Sequence, residues 1–167
     1  MSKPIAVIRN LEDSPDWLDR RLVGAYLRTT YCALSPFFEI KIGHKNEALE
    51  KWLEKGQFKT YAFITAWNPR SKLIPDNENR LRNRKLEIEL KKVSLVALPG
   101  FGATEDGDWP IEESFWVFDI SPDDAVRLGK KYEQNAIVWW EKGGLPELWW
   151  LWPARGGSVF VSADTLI

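Results

Sequence analysis

The most sharply bounded hydrophobic run in the chain lies between Tyr61 and Ser71, where apolar and β-branched residues stop at Trp67-Asn68-Pro69 and polar residues follow. This pattern predicts a central strand that delivers its loop to a site. Upstream, the first ten residues lack periodicity and read as part of a tether ending near residue 13, and Ser14-Pro15-Asp16 then supplies an N-cap, a proline at the first helical position and an acid in the first turn. Leu18, Leu22, Tyr26 and Leu27 recur at three-and-four spacing and carry that helix to between Tyr31 and Ser35. Phe37 to Gly43 alternates as a half-buried strand. Asn46 caps a short helix bearing Leu49, Trp52 and Leu53, which Gly56 ends.

Beyond the Asn68 to Pro75 loop, Asp76 or Asn77 caps a helix to about Lys92, with Asn79, Arg82, Leu86 and Leu90 on one stripe. Val93 to Leu98 reads as a strand, Pro99 to Glu113 as a Gly- and acid-rich connection, and Ser114 to Ile120 as a strand apolar on both faces. Ser121-Pro122-Asp123-Asp124 repeats the helix-start chemistry, and the helix packs through Ala125, Leu128, Gly129 and Tyr132 before ending at Gln134-Asn135. Ala136 to Glu141 is a strand, Gly143-Gly144 reverses the chain, and Leu148 to Trp152 and Val159 to Val161 supply further strands at the sheet edge. The expected fold is therefore α+β: a ferredoxin-like βαββαβ core over residues 61–141, an N-terminal helix and βα extension, and a C-terminal Trp-rich hairpin, all in a single domain. Tracing strand directions through that order brings three polar connections to one end of the sheet. They are the Asn68 to Pro75 loop, the Pro99 to Glu113 connection and the Gln134-Asn135 corner.

Composition narrows the chemistry. With 167 residues, 44% of them hydrophobic and ten of them Trp, the chain has material for a sizeable core. One cysteine, Cys32, excludes an internal disulfide, and one histidine, His44, removes most zinc and histidine-based catalytic arrangements. A net charge of −1 gives no global reason to expect DNA. No signal segment or long apolar span is evident, so the expected location is the cytoplasm and no membrane partner is implied.

The segments Ile64-Thr-Ala-Trp-Asn-Pro-Arg-Ser71, Glu78-Asn79 with Arg82, Glu112-x-Ser114 and Gln134-Asn135-Ala-Ile137 stand in order along the chain. Together they resemble the signature blocks of the bacterial domain-of-unknown-function family numbered 3293, over roughly Tyr26 to Trp139. The resemblance implies which positions matter without naming a reaction.

The candidate ligand-binding residues are Trp67, Asn68, Arg70, Ser71, Asn79, Arg82, Glu112, Ser114, Gln134 and Asn135. The loop after Trp67 feeds a helix N-terminus, whose free N–H groups favour anions, and Arg70, Ser71, Asn79 and Arg82 can supplement them. The bland alternative is that Asn68 makes an Asx turn and Asn79 and Arg82 stitch loops together. Glu105, Asp106, Asp108, Glu112 and Glu113 are mostly a solvated loop, with Glu112 set apart as an acid that orients a ligand or pairs with Arg82. Two such carboxylates suit Mg²⁺ binding or acid–base work, but oxygen-ligand spacing is too permissive to imply a metal, and no cofactor is implied. Gln134 and Asn135 suit a polar ligand edge or a helix cap. Cys32 reads as core. The leading expectation is a small anionic or polar ligand, a nucleotide or its fragment among the candidates. The alternative is a non-catalytic module binding protein or single-stranded nucleic acid through the Trp-rich hairpin or a sheet face, and a homo-oligomer is compatible with either.

Overall fold

The computed structural model describes residues 3–94 and 96–154. Strands β1 (Ala6–Ile8), β2 (Thr29–Leu34), β3 (Phe37–Ile40), β4 (Thr60–Ile64), β5 (Val96–Thr104), β6 (Glu112–Phe118), β7 (Ala136–Glu141) and β8 (Glu147–Trp150) form one antiparallel sheet in the order β1-β8-β7-β4-β6-β5-β2-β3. The helices among the described residues are α1 (Arg20–Leu27), α2 (Glu47–Gly56), α3 (Asp76–Val93) and α4 (Pro122–Lys131). The molecule is thus a mixed α/β structure built around a single eight-stranded sheet.

Alternation along the central strands makes a core on each face. Tyr61, Phe63, Trp116, Phe118, Val138 and Trp140 point to one side, where Leu22 and Val23 of α1 and Leu49 and Leu53 of α2 cover them. Ala62, Ile64, Val117, Ile137 and Trp139 point to the other, under Leu86 and Leu90 of α3 and Val126 and Leu128 of α4. Consecutive tryptophans necessarily divide between these cores. Trp139 stacks on Trp149 at 4.6 Å, whereas Trp140 meets Tyr61 edge-on at 4.7 Å on the opposite face. Of the five hairpin tryptophans, Trp139, Trp140, Trp149 and Trp150 are buried, and Trp152, just past β8, is half-buried against the α3–α4 core. These four tryptophans are core, and helices cover both faces of the central strands.

Several local expectations change. Residues 6–8, read as tether, form the edge strand paired with β8. The first helix begins after Asp19, whose side chain accepts the Arg21 N–H at 2.8 Å, and not at Ser14. It ends at Leu27, because Thr29-Thr30-Tyr31 is β-branched and aromatic and enters β2. Gly56 stays helical, and Gln57 takes the left-handed cap instead. Much of the Pro99 to Glu113 connection is strand: β5 runs through Thr104, pairing with β6 from Val96 to Gly102 and with β2 from Gly100 to Thr104. Val159 to Val161 lies outside the described residues.

Gly100 shows why a glycine tolerates strand geometry here. A Cβ at this position would sit 2.3 Å from the Cys32 carbonyl oxygen and 2.7 Å from the Trp116 ring. Gly100→Ala is therefore expected to lower stability by about 2 kcal/mol through overpacking, measured as a shift of the urea midpoint with unchanged slope. An unshifted midpoint would show that both the β2 backbone at Cys32 and the Trp116 ring give way at little cost.

Candidate functional site

The exit of β4 is held by side chains from α3. Asn83, which is buried, accepts the Ala66 N–H at 2.8 Å and donates to the Glu113 carbonyl at 2.8 Å, tying the end of β4 to the start of β6. One turn earlier, Asn79 accepts the Asn68 N–H at 2.8 Å and donates to Asn68 Oδ1 at 2.9 Å. The Ile74 N–H also donates to Asn68 Oδ1, at 3.2 Å. These donors consume the carbonyl end of the Asn68 amide, leaving its NH₂ to face Glu112. The brace supports an unusual backbone: Asn68, Arg70 and Ser71 all have positive φ, at 44°, 55° and 59°. Strain of this kind persists only where surrounding contacts over-determine it, and it concentrates at functional loops.

The three expected corners do converge. Asn68 Nδ2 donates to Glu112 Oε1 at 3.1 Å, Gln134 Nε2 to the Trp67 carbonyl at 3.1 Å, and Asn135 Nδ2 to Ser71 Oγ at 3.0 Å. Beside them opens a pocket of about 280 Å³ between α1 and the sheet, lined by Asn68, Ser71, Glu112, Ser114 and Gln134 from the expected set. Its apolar side comes from Leu22, Ala25, Phe63, Val138 and Leu148.

The space has a specific origin in strand register. Tyr31 on β2 pairs with Gly102 on β5, which pairs with Glu112 on β6, so the three lie in a row across the sheet. Gly102 contributes no side chain, and a hollow opens between the Tyr31 ring and the Glu112 carboxyl. A Cβ at Gly102 would meet Thr29, Phe63 and Tyr31 only at 3.5 to 3.9 Å. The glycine is therefore not forced by close packing as Gly100 is. It leaves room.

Glu112 is the chemically distinctive group. Its Oε1 accepts from Asn68 and, at 2.7 Å, from Trp109 Nε1. Burial nevertheless pushes its carboxyl from the ordinary 4.5 to about 7, outweighing the lowering effect of those two bonds. At neutral pH it exchanges a proton readily, the property expected of a general acid or base. The Tyr26 hydroxyl, next to Ser71 and Asn135, is pushed by burial to about 12 and remains protonated.

The other expected residues have structural partners. Arg82 donates from Nε to the Ala66 carbonyl at 2.9 Å and from Nη2 to the Tyr132 carbonyl at 2.6 Å, with Glu133 at 3.9 Å. It neither lines the pocket nor pairs with Glu112; it stitches the β4 exit to the end of α4, the structural alternative considered for it. Asn79 stands behind Asn68, Trp67 is buried, and Arg70 lies over the Trp152 ring at 3.8 Å. The start of α3 is outside the pocket lining and already carries Asp76 and Glu78 in its first turn, so it does not present its N–H groups to this space. Glu105 pairs with Lys41, and among the described residues no group of three His, Cys, Asp or Glu side chains is arranged to hold a metal ion. Cys32 is buried and its thiol is raised by that burial.

Sequence reasoning missed the α1 wall, Tyr31, Gly102 and Trp109. Only Trp109, three residues before Glu112 and followed by Pro110, left a local signal.

Residues 64–137 match the model of a family described as "Protein of unknown function (DUF3293)". That span contains every candidate residue named from the sequence together with Gly102 and Trp109, while Tyr26 and Tyr31 precede it. Nothing among curated proteins or solved structures matches the chain.

Proposed function

We propose from the geometry that the protein binds a small polar ligand in the pocket between α1 and the sheet end, a reading to which the similarity of residues 64–137 to the DUF3293 family adds no activity. The carrying observation is the Gly102 hollow between Tyr31 and Glu112, with Asn68 and Gln134 at its edge. A volume of 280 Å³ sits near the lower end of ordinary small-molecule sites, roughly 300 to 1,000 Å³, and an apolar wall with a few convergent polar groups is their usual composition. With the α3 N-terminus outside the pocket, an anionic ligand loses the main support it has in the sequence.

The finer fold reading belongs with this proposal. Strands in the order β7-β4-β6-β5, joined by α3 and α4 on one face, support a ferredoxin-like core for this part of the chain. That arrangement would account for the meeting of loops that are distant in sequence. No helix among the described residues is long and apolar enough to cross a membrane, and a lone reduced-type cysteine fits the proposed cytoplasmic location.

The test is a fragment screen read by amide chemical shifts. Hits are expected to perturb Thr29, Gly102, Trp109 and Gln134 together, and Gly102→Leu, which fills the hollow, is expected to weaken them at least tenfold. Perturbations scattered over the surface, or hits indifferent to Gly102→Leu, would refute the pocket.

A further inference from the structure

Resting on that pocket reading, we propose that the ligand carries a cationic nitrogen, an amine or amidine on a small apolar or aromatic body, which it places against Oε2 of Glu112. The two donors that touch the Glu112 carboxyl, Asn68 Nδ2 and Trp109 Nε1, both address Oε1. Asn79 and the Ile74 N–H hold the carbonyl end of the Asn68 amide, which keeps its NH₂ toward Glu112 Oε1. Oε2 therefore remains the oxygen for an incoming group. Among the described residues no lysine or arginine forms an ion pair with Glu112: Arg82 is committed to Ala66 and Tyr132, and Arg70 lies over Trp152.

A carboxylate taken from water without a cation is costly, so a ligand that supplies the cation gains what the protein lacks. The surrounding rings favour the same charge. Tyr31 and Phe63 form an edge-on pair at 5.0 Å and, with Tyr26, line the pocket; aromatic faces attract ammonium and amidinium groups. The hollow admits a flat or narrow body, and Leu22, Val138 and Leu148 supply its apolar contacts.

Other charged groups around Glu112 must be separated from it. Arg21 of α1, Arg28 at its C-terminal cap and Asp106 and Asp108 of the β5–β6 turn sit at the rim, all exposed, while Tyr26 of α1 and Tyr31 of β2 face the interior and Arg70 lies in the β4–α3 loop. Burial raises both tyrosines above their ordinary range, so neither ionises near neutrality. Below its pKa Glu112 holds a proton and offers a cation no charge. Affinity for a cation should rise with pH.

The probes are benzamidine, benzamide and benzoate, three molecules of one shape that are cationic, neutral and anionic between pH 5.5 and 8.5. Calorimetric titration of the full chain is expected to show benzamidine binding at least tenfold tighter than the other two at pH 8.5, and losing about tenfold or more at pH 5.5 as Glu112 becomes protonated. Glu112→Gln is expected to abolish both the preference and the pH dependence, whereas the double change Asp106→Asn and Asp108→Asn leaves them. If benzamide or benzoate binds, Gly102→Leu abolishes that binding, and benzamidine has no advantage, the cation inference fails while the pocket reading stands. If none of the three binds, or binding ignores Gly102→Leu, both fail. Ala25→Leu, which narrows the pocket from the α1 side, is the second blocking variant should Gly102→Leu not fold.

Discussion

Asn79→Ala is expected to lower the unfolding free energy by about 3 kcal/mol, because it deprives several buried groups of partners in one change. Asn79 is fully buried at 0% exposure and makes three hydrogen bonds, accepting from the Asn68 N–H and donating to Asn68 Oδ1 and, at 3.3 Å, to the Ile74 carbonyl. An alanine leaves the Asn68 N–H without its acceptor and opens a polar void beneath a loop whose backbone already has positive φ at Asn68, Arg70 and Ser71. Asn79→Asp should be worse at neutral pH. A carboxylate there still accepts from the Asn68 N–H, but it confronts Asn68 Oδ1 and the Ile74 carbonyl with no proton to offer. Urea unfolding at pH 7 measures both variants. A loss under 1 kcal/mol for alanine would mean that the loop closes over the gap or that a water replaces the amide, and that Asn68 is not held as described. The change should also release Asn68 from Glu112, so it links stability directly to the site.

The same polar brace shows what the sequence made legible. Asn79 was placed correctly on a buried stripe by its three-and-four spacing with Leu86 and Leu90, since helix geometry alone decides which residues share a face. Arg82 was put on that stripe by the same rule, yet its long side chain turns its guanidinium toward the Ala66 and Tyr132 carbonyls. Periodicity fixes where a Cβ starts, and a four-bond side chain is free to end elsewhere. Similarly, Ala136–Glu141 and the Ser121 cap were readable because their determinants are local. The continuation of β5 was not, because Pro99, Gly100 and Gly102 look like loop residues; what makes Gly100 a strand residue is the Trp116 ring filling its missing side chain, a contact from another strand. The convergence of Asn68, Glu112 and Gln134 followed from connectivity. The α1 wall did not, because nothing in the spacing of Leu22, Ala25 and Tyr26 states which end of the sheet the helix will cover.

Glu112→Gln is expected to stabilise the free protein at alkaline pH, the reverse of what removing an ion-paired carboxylate would do. Burial raises the folded-state pKa from 4.5 to about 7. Below pH 4.5 the carboxyl is protonated whether the chain is folded or not, and it imposes no difference. As pH rises beyond that value the unfolded chain loses its proton first, so stability declines from about pH 4.5 and levels off above about pH 7. Across 2.5 pH units the decline amounts to up to about 3 kcal/mol, at roughly 1.4 kcal/mol per unit, and opening of the carboxyl toward the pocket reduces it. Glutamine keeps an oxygen for the Asn68 and Trp109 donors and has no proton to lose, so this contribution to the pH dependence vanishes. Unfolding free energies measured from pH 4.5 to 8.5 should therefore diverge, with the variant the more stable by pH 8. Parallel curves would show that Glu112 ionises at its ordinary pKa in the folded protein. Divergence would mean that the site holds an unfavourable carboxylate at neutral pH, a cost that the two donors to Oε1 offset only in part. A cationic ligand relieves that cost, and it should accordingly raise the melting temperature of the wild-type protein more than that of Glu112→Gln.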